Sequence, residues 1–415
     1  MATVTATDTA ATAIRPRLPK VIRTVIVALA SAALAVTSGL AAFAQAGERL
    51  SPQHAAAAFS PNGGTRATLA VFELAKRRAI TRDPFLPPSE VVAKVARAAQ
   101  TREPLDANAI ALLGAAAGRE DPALGLKILR AGHAATRRSS LLNTELLAAY
   151  GRVGEEEAAL RIIDEILRRQ TAAHGPLLER MATLAGDRRY QPMFLELLSL
   201  QPPWAEEFWR QVAQSPAGLQ NAAALRQASY RQAPYEIGEV DRMLIEGLAG
   251  QGRYQDAASL ARTLFPRTRA LGDGGPIVRN DHFSRKPDIL PFDWRLLSTA
   301  DFGAGIDTQS KALTISALGG SRGVVAEQLV AIPPRTLKLI VTVARGSAPT
   351  DSLLSTSLTC AGSGRTLFKG AIATLPARIA PNACRWAWLR LEVSVPREAD
   401  GYDWIVQSVS LTPDG

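Results

Sequence analysis

Few stretches of this chain hold side chains whose types and spacing could do chemistry. Gly319-Gly320-Ser321-Arg322-Gly323 matches the G-x-S-x-G pattern of a nucleophile elbow. That pattern works only as a strand-to-helix turn with Asp and then His further along the chain. Here the next residues, VVAEQLV, are β-type, and the last histidine, His282, lies upstream. The stretch therefore reads as a glycine-rich hairpin turn. Gly272-Asp273-Gly274-Gly275 lacks the Lys-Ser/Thr pair of a phosphate loop and reads as linker. Glu155-Glu156-Glu157 and Asp164-Glu165 have helical spacing, with Arg168 and Arg169 four residues beyond the latter pair, as solvated ion pairs do. His54, His133, His174 and His282 stand far from one another and from the two cysteines, so no metal set is legible. No cofactor motif is legible either. The expectation is a protein that is not an enzyme.

Two aromatic groups remain as candidate binding elements. Trp204, Phe208 and Trp209 follow Pro202-Pro203 at helical spacing. They read either as packing between helices or as a groove for a protein partner. The run Arg385–Val393 alternates in the manner of a strand, whose side chains point to opposite faces. Ala387, Leu389, Leu391 and Val393 form an apolar face, and Trp386, Trp388, Arg390 and Glu392 share the other. That second face is a candidate saccharide platform, or a tryptophan layer covered by another part of the chain.

The elements that position these residues follow from composition along the chain. Residues 1–23 form a small, polar tail ending in a basic cluster, Arg15, Arg17, Lys20 and Arg23. Residues 24–46 carry no charge, and as a helix they would reach about 35 Å, enough to span a bilayer. The long basic flank and the length favour an uncleaved anchor with the bulk of the chain in the periplasm. Ala44-Gln45-Ala46 keeps signal cleavage after Ala46 as the alternative. Export makes a disulfide the reading for Cys360 and Cys384. The net charge of +10 comes without a Lys/Arg block, so no nucleic-acid partner is expected, although a basic surface attracts acidic polymers and anionic lipid.

Residues 47–65 read as a linker. From 66 to 270 apolar residues recur at three and four spacing, as on helices. Glycines at 118, 154, 186, 218 and 252 recur at intervals of 36, 32, 32 and 34, each followed five residues later by a small or polar residue. Two units, LLAAYGRVGEEEAALRIIDEIL (146–167) and LIEGLAGQGRYQDAASLARTLF (244–265), resemble the tetratricopeptide repeat family, with Gly252, Tyr254 and Ala257 at its turn, aromatic and close-packing positions. The resemblance implies an α-solenoid that binds a protein partner. Residues 271–291 read as a second linker. Residues 292–415 hold short alternating runs at 312–318, 324–330, 336–344, 353–360, 386–395 and 404–411, as in an antiparallel β-sandwich. Asn280 and Pro291-Phe292-Asp293-Trp294 resemble the opening of carbohydrate-binding-like jelly rolls, with Asp293 read as a turn cap and Trp294 as packing in the sandwich.

The fold expected is thus a multidomain α + β chain: an N-terminal transmembrane or signal helix, a tetratricopeptide-like solenoid and a C-terminal jelly roll. The function expected is a periplasmic scaffold in exopolysaccharide or capsule synthesis or export, with a saccharide-binding or saccharide-active protein as the alternative.

Overall fold

The computed structural model describes residues 63–83, 85–169, 174–265, 271, 275–344, 353–381 and 383–414, with residues 31, 32, 35, 36 and 38. The expected tail (1–23), apolar span (24–46) and first linker up to residue 62 therefore lie outside the described residues, apart from those five helical positions. Among the described residues, no helix is long and apolar enough to cross a membrane.

Twelve α-helices occupy the described residues from Gly63 to Leu264. They are α1 (Gly63–Thr81), α2 (Glu90–Arg102), α3 (Ala107–Ala117), α4 (Pro122–Ala135), α5 (Ser140–Val153) and α6 (Glu156–Leu167), then α7 (His174–Ala185), α8 (Gln191–Ser199), α9 (Ala205–Gln214), α10 (Leu219–Gln232), α11 (Glu239–Gly250) and α12 (Tyr254–Leu264). Local chemistry starts several of them. Ser89, Asp106, Asp121 and Ser139 each accept a backbone N–H of the following first turn. Such caps contribute about 1 kcal/mol each.

Contacts divide the chain into two compact units, Met1–Ile166 and Leu167–Gly415. In the first, α1 packs on α3 and α3 on α5, while α2 and α4 bridge successive members of that layer. In the second, α7, α9 and α11 pack in succession, and α8, α10 and α12 form a parallel succession. Each unit is thus built from successive helix pairs. Every one of the five periodic glycines lies at the turn within a pair, between α3 and α4, α5 and α6, α7 and α8, α9 and α10, or α11 and α12.

Those glycines serve two physical purposes. Gly154 and Gly252 have φ of 76° and 74°, the left-handed conformation that side chains with a Cβ resist. Gly186 has no such φ. A Cβ there would lie 2.0 Å from the carbonyl oxygen of Ala217, in the turn of the next pair. The repeat keeps its glycine at position 186 because adjacent turns touch.

The C-terminal part forms two five-stranded antiparallel sheets. The strands are β1 (Arg295–Leu296), β2 (Phe302–Asp307), β3 (Ala312–Leu318), β4 (Arg322–Ala331), β5 (Leu337–Val343), β6 (Leu354–Cys360), β7 (Thr366–Ala371), β8 (Ala377–Ile379), β9 (Trp386–Ser394) and β10 (Gly401–Pro413). One sheet has the order β1-β4-β9-β6-β7 and the other β2-β3-β10-β5-β8. Both contribute to one core, with Val325, Leu358, Leu389 and Leu391 from the first and Leu313, Ile315, Leu339 and Trp404 from the second. The Gly319–Gly323 turn carries the chain from β3 in one sheet to β4 in the other, so it is a crossover and not the hairpin expected. Ser321 is buried, its hydroxyl held by the carbonyls of Leu318 (2.6 Å) and Asp301 (3.0 Å).

The stretch expected as a second linker is packed. Val278 and Phe283 join the sandwich core and Ile289 is buried. Asn280 braces this turn, its side-chain amide donating to the Arg285 carbonyl at 2.7 Å. Trp294 is fully buried, as expected. Asp293 does cap a turn, its Oδ2 accepting the Asp288 backbone N–H at 3.1 Å, and it does so as a fully buried carboxylate gripped by Arg285.

Cys360 and Cys384 form a disulfide with Cα atoms 5.7 Å apart. It closes a loop of sequence separation 24 and so contributes about 3 kcal/mol by restricting the unfolded chain. Reduction is expected to lower the urea midpoint of the wild type and to leave a Cys360→Ser/Cys384→Ser variant unchanged. Gly186→Ala is expected to cost roughly 1–3 kcal/mol in the same assay, because the neighbouring turn must move. Gly250→Ala, where no atom lies within 4 Å of the added Cβ, is the control expected to be neutral or stabilising.

Candidate functional site

The outer face of the first sheet carries a connected set of polar side chains. Strand β9 puts Ala387, Leu389, Leu391 and Val393 into the core and leaves Trp388, Arg390 and Glu392 half-buried on the other side. The antiparallel register sets their neighbours. Arg390 lies between Glu327 on β4 and Ser357 on β6, and Glu327 pairs across to Arg295 on β1. Arg390 Nε donates to Glu327 Oε2 at 3.1 Å, and Arg295 reaches Glu327 Oε1 at 3.3 Å. Arg295 also reaches Glu246 of helix α11 at 3.2 Å. The Arg390 guanidinium stands 5.8 Å over the Trp388 ring.

Glu392 has its own partners. Ser357 Oγ donates to Oε1 at 2.6 Å, and Lys369 Nζ lies 2.9 Å from Oε2. Burial pushes the carboxyl pKa up, but the Ser357 and Lys369 hydrogen bonds and the charges of Lys369 and Arg390 outweigh it, holding the group below the ordinary value of 4.5. A carboxyl held ionised accepts hydrogen bonds and does not donate a proton. Glu327 and Glu392 are both anchored by cations on this face.

Trp386, grouped with that face in the alternation, departs from it. It is buried, with its ring 5.7 Å from Phe292. It borders a separate cleft of about 620 Å³ between helix α12 and the ends of β4, β9 and β10, next to Cys384. A platform of two exposed tryptophans is thus corrected to a single half-buried one, Trp388. Phe292 packs against the other, Trp386.

The helical aromatics are interior. Trp204, Phe208 and Trp209 are 0%, 0% and 2% exposed. Phe208 stacks on Phe194 at 5.3 Å and meets Trp204 and Trp209 edge-on at 5.8 and 5.1 Å. They are packing between helix pairs, and the partner groove expected from them is corrected accordingly. Trp209 does wall a cleft of about 540 Å³. There the Arg226 guanidinium is sandwiched, 4.6 Å from Trp209 and 3.9 Å from Tyr235, while its Nε bonds Asp241 at 2.8 Å. Burial pushes the Tyr235 phenol above its ordinary range.

Glu246, Arg295, Glu327, Ser357 and Lys369 were not singled out from the sequence. Glu327, a lone acid within an apolar run, was the one local signal; the others are joined to it only by sheet register.

Because the folded pKa of Glu392 is depressed, its contribution to stability is complete above the unfolded value and is lost as pH falls through the folded one. Glu392→Gln is expected to lose less stability than the wild type on acidification from about pH 6 to about pH 3.5, as read by urea titration at each pH. Equal losses would remove Glu392 from the acid response. Compared with known proteins, the chain matches no family model and no curated protein. It is similar to the solved structure of an arabinose-bound MgGH51 α-L-arabinofuranosidase at 17% identity and a TM-score of 0.25, over 35% of this chain and 28% of that one. The chain thus spans less than a third of that enzyme's length, and a likeness of that size carries no argument here.

Proposed function

We propose that this chain is a non-enzymatic scaffold of the bacterial cell envelope. Residues 24–46 hold it in the inner membrane with residues from 47 onward in the periplasm, or are removed by cleavage after Ala46. The helical array acts as a tetratricopeptide-like solenoid that engages an envelope protein, and the sandwich acts as a jelly-roll-type domain that holds a saccharide. The setting we assign is exopolysaccharide or capsule synthesis or export.

The observation that carries this reading is the joining of helices and sandwich within the second unit. Arg295 ties β1 to Glu246 of α11, and Arg242 of α11 bonds both the carbonyl and the carboxylate of Asp288, at 3.0 and 2.9 Å. A compact unit that presents two kinds of surface suits assembly. The disulfide supports an oxidising compartment, since such bonds persist outside the reducing cytosol. The half-buried Trp388, Arg390 and Glu392 favour saccharide binding as the sandwich's share, and they also support the second reading, a saccharide-binding or saccharide-active protein.

Fractionation of cells expressing the full chain tests the placement. The chain is expected in the membrane or periplasmic fraction, digestible by protease added to spheroplasts, with Cys360 and Cys384 blocked to a thiol-reactive polymer until reductant is added. A protease-shielded chain with two free thiols in the cytosolic fraction would overturn it.

A further inference from the structure

The cleft walled by Trp209 holds an arginine whose hydrogen-bonding capacity is only partly used. Its lining lies within residues 198–241, a run described without interruption. Arg226 lines it and is 7% exposed. Two rings and one carboxylate fix this guanidinium, through Trp209, Tyr235 and the bond from Nε to Asp241. Asp241 is itself tied down, its Oδ2 accepting the Gly238 backbone N–H at 3.1 Å. None of these contacts uses the terminal nitrogens Nη1 and Nη2. They carry the remaining N–H donors of the side chain and have no hydrogen-bond partner among the described residues. Ser229, 7% exposed on the same lining, adds a hydroxyl that is also without a partner among the described residues. Polar groups this deeply buried are nearly always hydrogen-bonded, so donors left open toward a cleft are available to a ligand.

We propose that this cleft is a docking site for a basic segment of a protein partner, which places a backbone carbonyl on Arg226 and lysine or arginine side chains on the rim. The rim residues Glu206, Glu236 and Glu239 are all exposed. Glu206 pairs with Arg210 at 2.9 Å, whereas Glu236 and Glu239 have no ion-pair partner among the described residues. Leu198, Pro202 and Val240 supply apolar wall for the side chains between the partner's cations. The volume of about 540 Å³ lies within the roughly 300–1,000 Å³ usual for ligand sites.

An anionic ligand is the competing occupant of an arginine site, and the charges here disfavour it. Asp241 already neutralises Arg226 at 2.8 Å, so the open N–H groups belong to a pair without net charge. An uncharged acceptor suits such a pair, and a peptide offers a carbonyl at every residue. A carboxylate or phosphate would enter past Glu236 and Glu239 and meet like charge. The guanidinium is also held in place before anything binds, by the two rings and Asp241, which lowers the ordering cost of binding. The proposal rests on the helices being the partner-binding part, and it adds the partner's charge and the place of docking.

The test is fluorescence anisotropy of labelled peptides with the full chain at about 0.15 M salt, where long-range attraction is screened. The probes are end-capped pentapeptides in which leucine alternates with lysine, with glutamine or with glutamate. The lysine peptide is expected to bind most tightly and the glutamate peptide not at all. Glu236→Gln/Glu239→Gln should weaken lysine-peptide binding at least about threefold. Glu156→Gln/Glu157→Gln removes the same charge from exposed positions in the first turn of α6 and should change it less than about 1.5-fold. Arg226→Lys, which keeps the charge but not the fork, should weaken it at least about fivefold. Arg226 also supports the fold through Asp241, so Ala233→Trp, which fills the cleft from a half-buried position, is the independent variant and should weaken binding at least about tenfold. Equal losses in the two glutamate variants, unchanged binding by Ala233→Trp, or no binding of the lysine peptide would overturn the site, while the envelope placement read by fractionation would stand. Binding of the glutamine or glutamate peptide as tightly as the lysine peptide would overturn the basic ligand and leave the partner-binding reading of the helices standing.

Discussion

The carboxylate of Asp293 has no exposure to solvent, and the join between helices and sandwich depends on it. Arg285 grips both of its oxygens, at 2.7 and 2.8 Å, and the Asp288 amide donates to it at 3.1 Å. A second clamp lies beside it, where the Gln328 side chain bonds the backbone N–H and carbonyl of Arg279, each at 2.9 Å. Together they lay residues 278–294 across the sandwich and carry Val278, Phe283 and Trp294 into its core. The same segment presents Asp288 to Arg242 of α11. A buried charge is costly unless paired, and removing one partner costs more than the pair itself contributes. The segment therefore has one stable course over the sheet, and the helices that bond to it inherit that position.

The polar face of the first sheet extends this join. Along it the charges alternate in sign, from Glu246 on a helix to Arg295 on β1, Glu327 on β4 and Arg390 on β9. Exposed ion pairs taken singly contribute little. Here the inner members, Arg295 and Glu327, are each shared by two neighbours, and Glu327 is 9% exposed, so the row resists screening better than isolated surface pairs do. It fixes Arg390 over Trp388, leaving one ring face and several hydrogen-bonding groups in a set geometry.

Much of the fold was legible in local pattern. The six alternating runs correspond to β3, β4, β5, β6, β9 and β10, and the glycine period marked every intra-pair turn from α3 onward, the α1–α2 turn having none. Strands β1, β2, β7 and β8 left no such trace. Two residues cannot alternate, FGAGID of β2 has glycines where packed side chains would stand, and ARI of β8 is too short to show a period. The segment 275–291 read as linker because it is rich in Gly, Pro and Asp. What holds it down is long-range, a glutamine 49 positions away and helix α11 46 positions away. The site divides in the same way. Strand parity located Trp388, Arg390 and Glu392 on one face, and it misplaced Trp386 because its cover, Phe292, belongs to a different element. The cleft beside the disulfide draws on described residues scattered from 255 to 413, and only the packing of strand ends against α12 brings them together.

The strand order bears on how the chain behaves in a crowd. An open sheet border is a template on which a second molecule can pair, and sandwiches so exposed tend to associate into fibres. The borders here are β1, β7, β2 and β8. β1 and β8 offer two and three residues, β7 carries Lys369, and β2 has two glycines in its six residues. None offers the long, flat, apolar rim on which strands from neighbouring molecules zip together. The long apolar strands are all interior, so copies held side by side at high density can remain separate bodies.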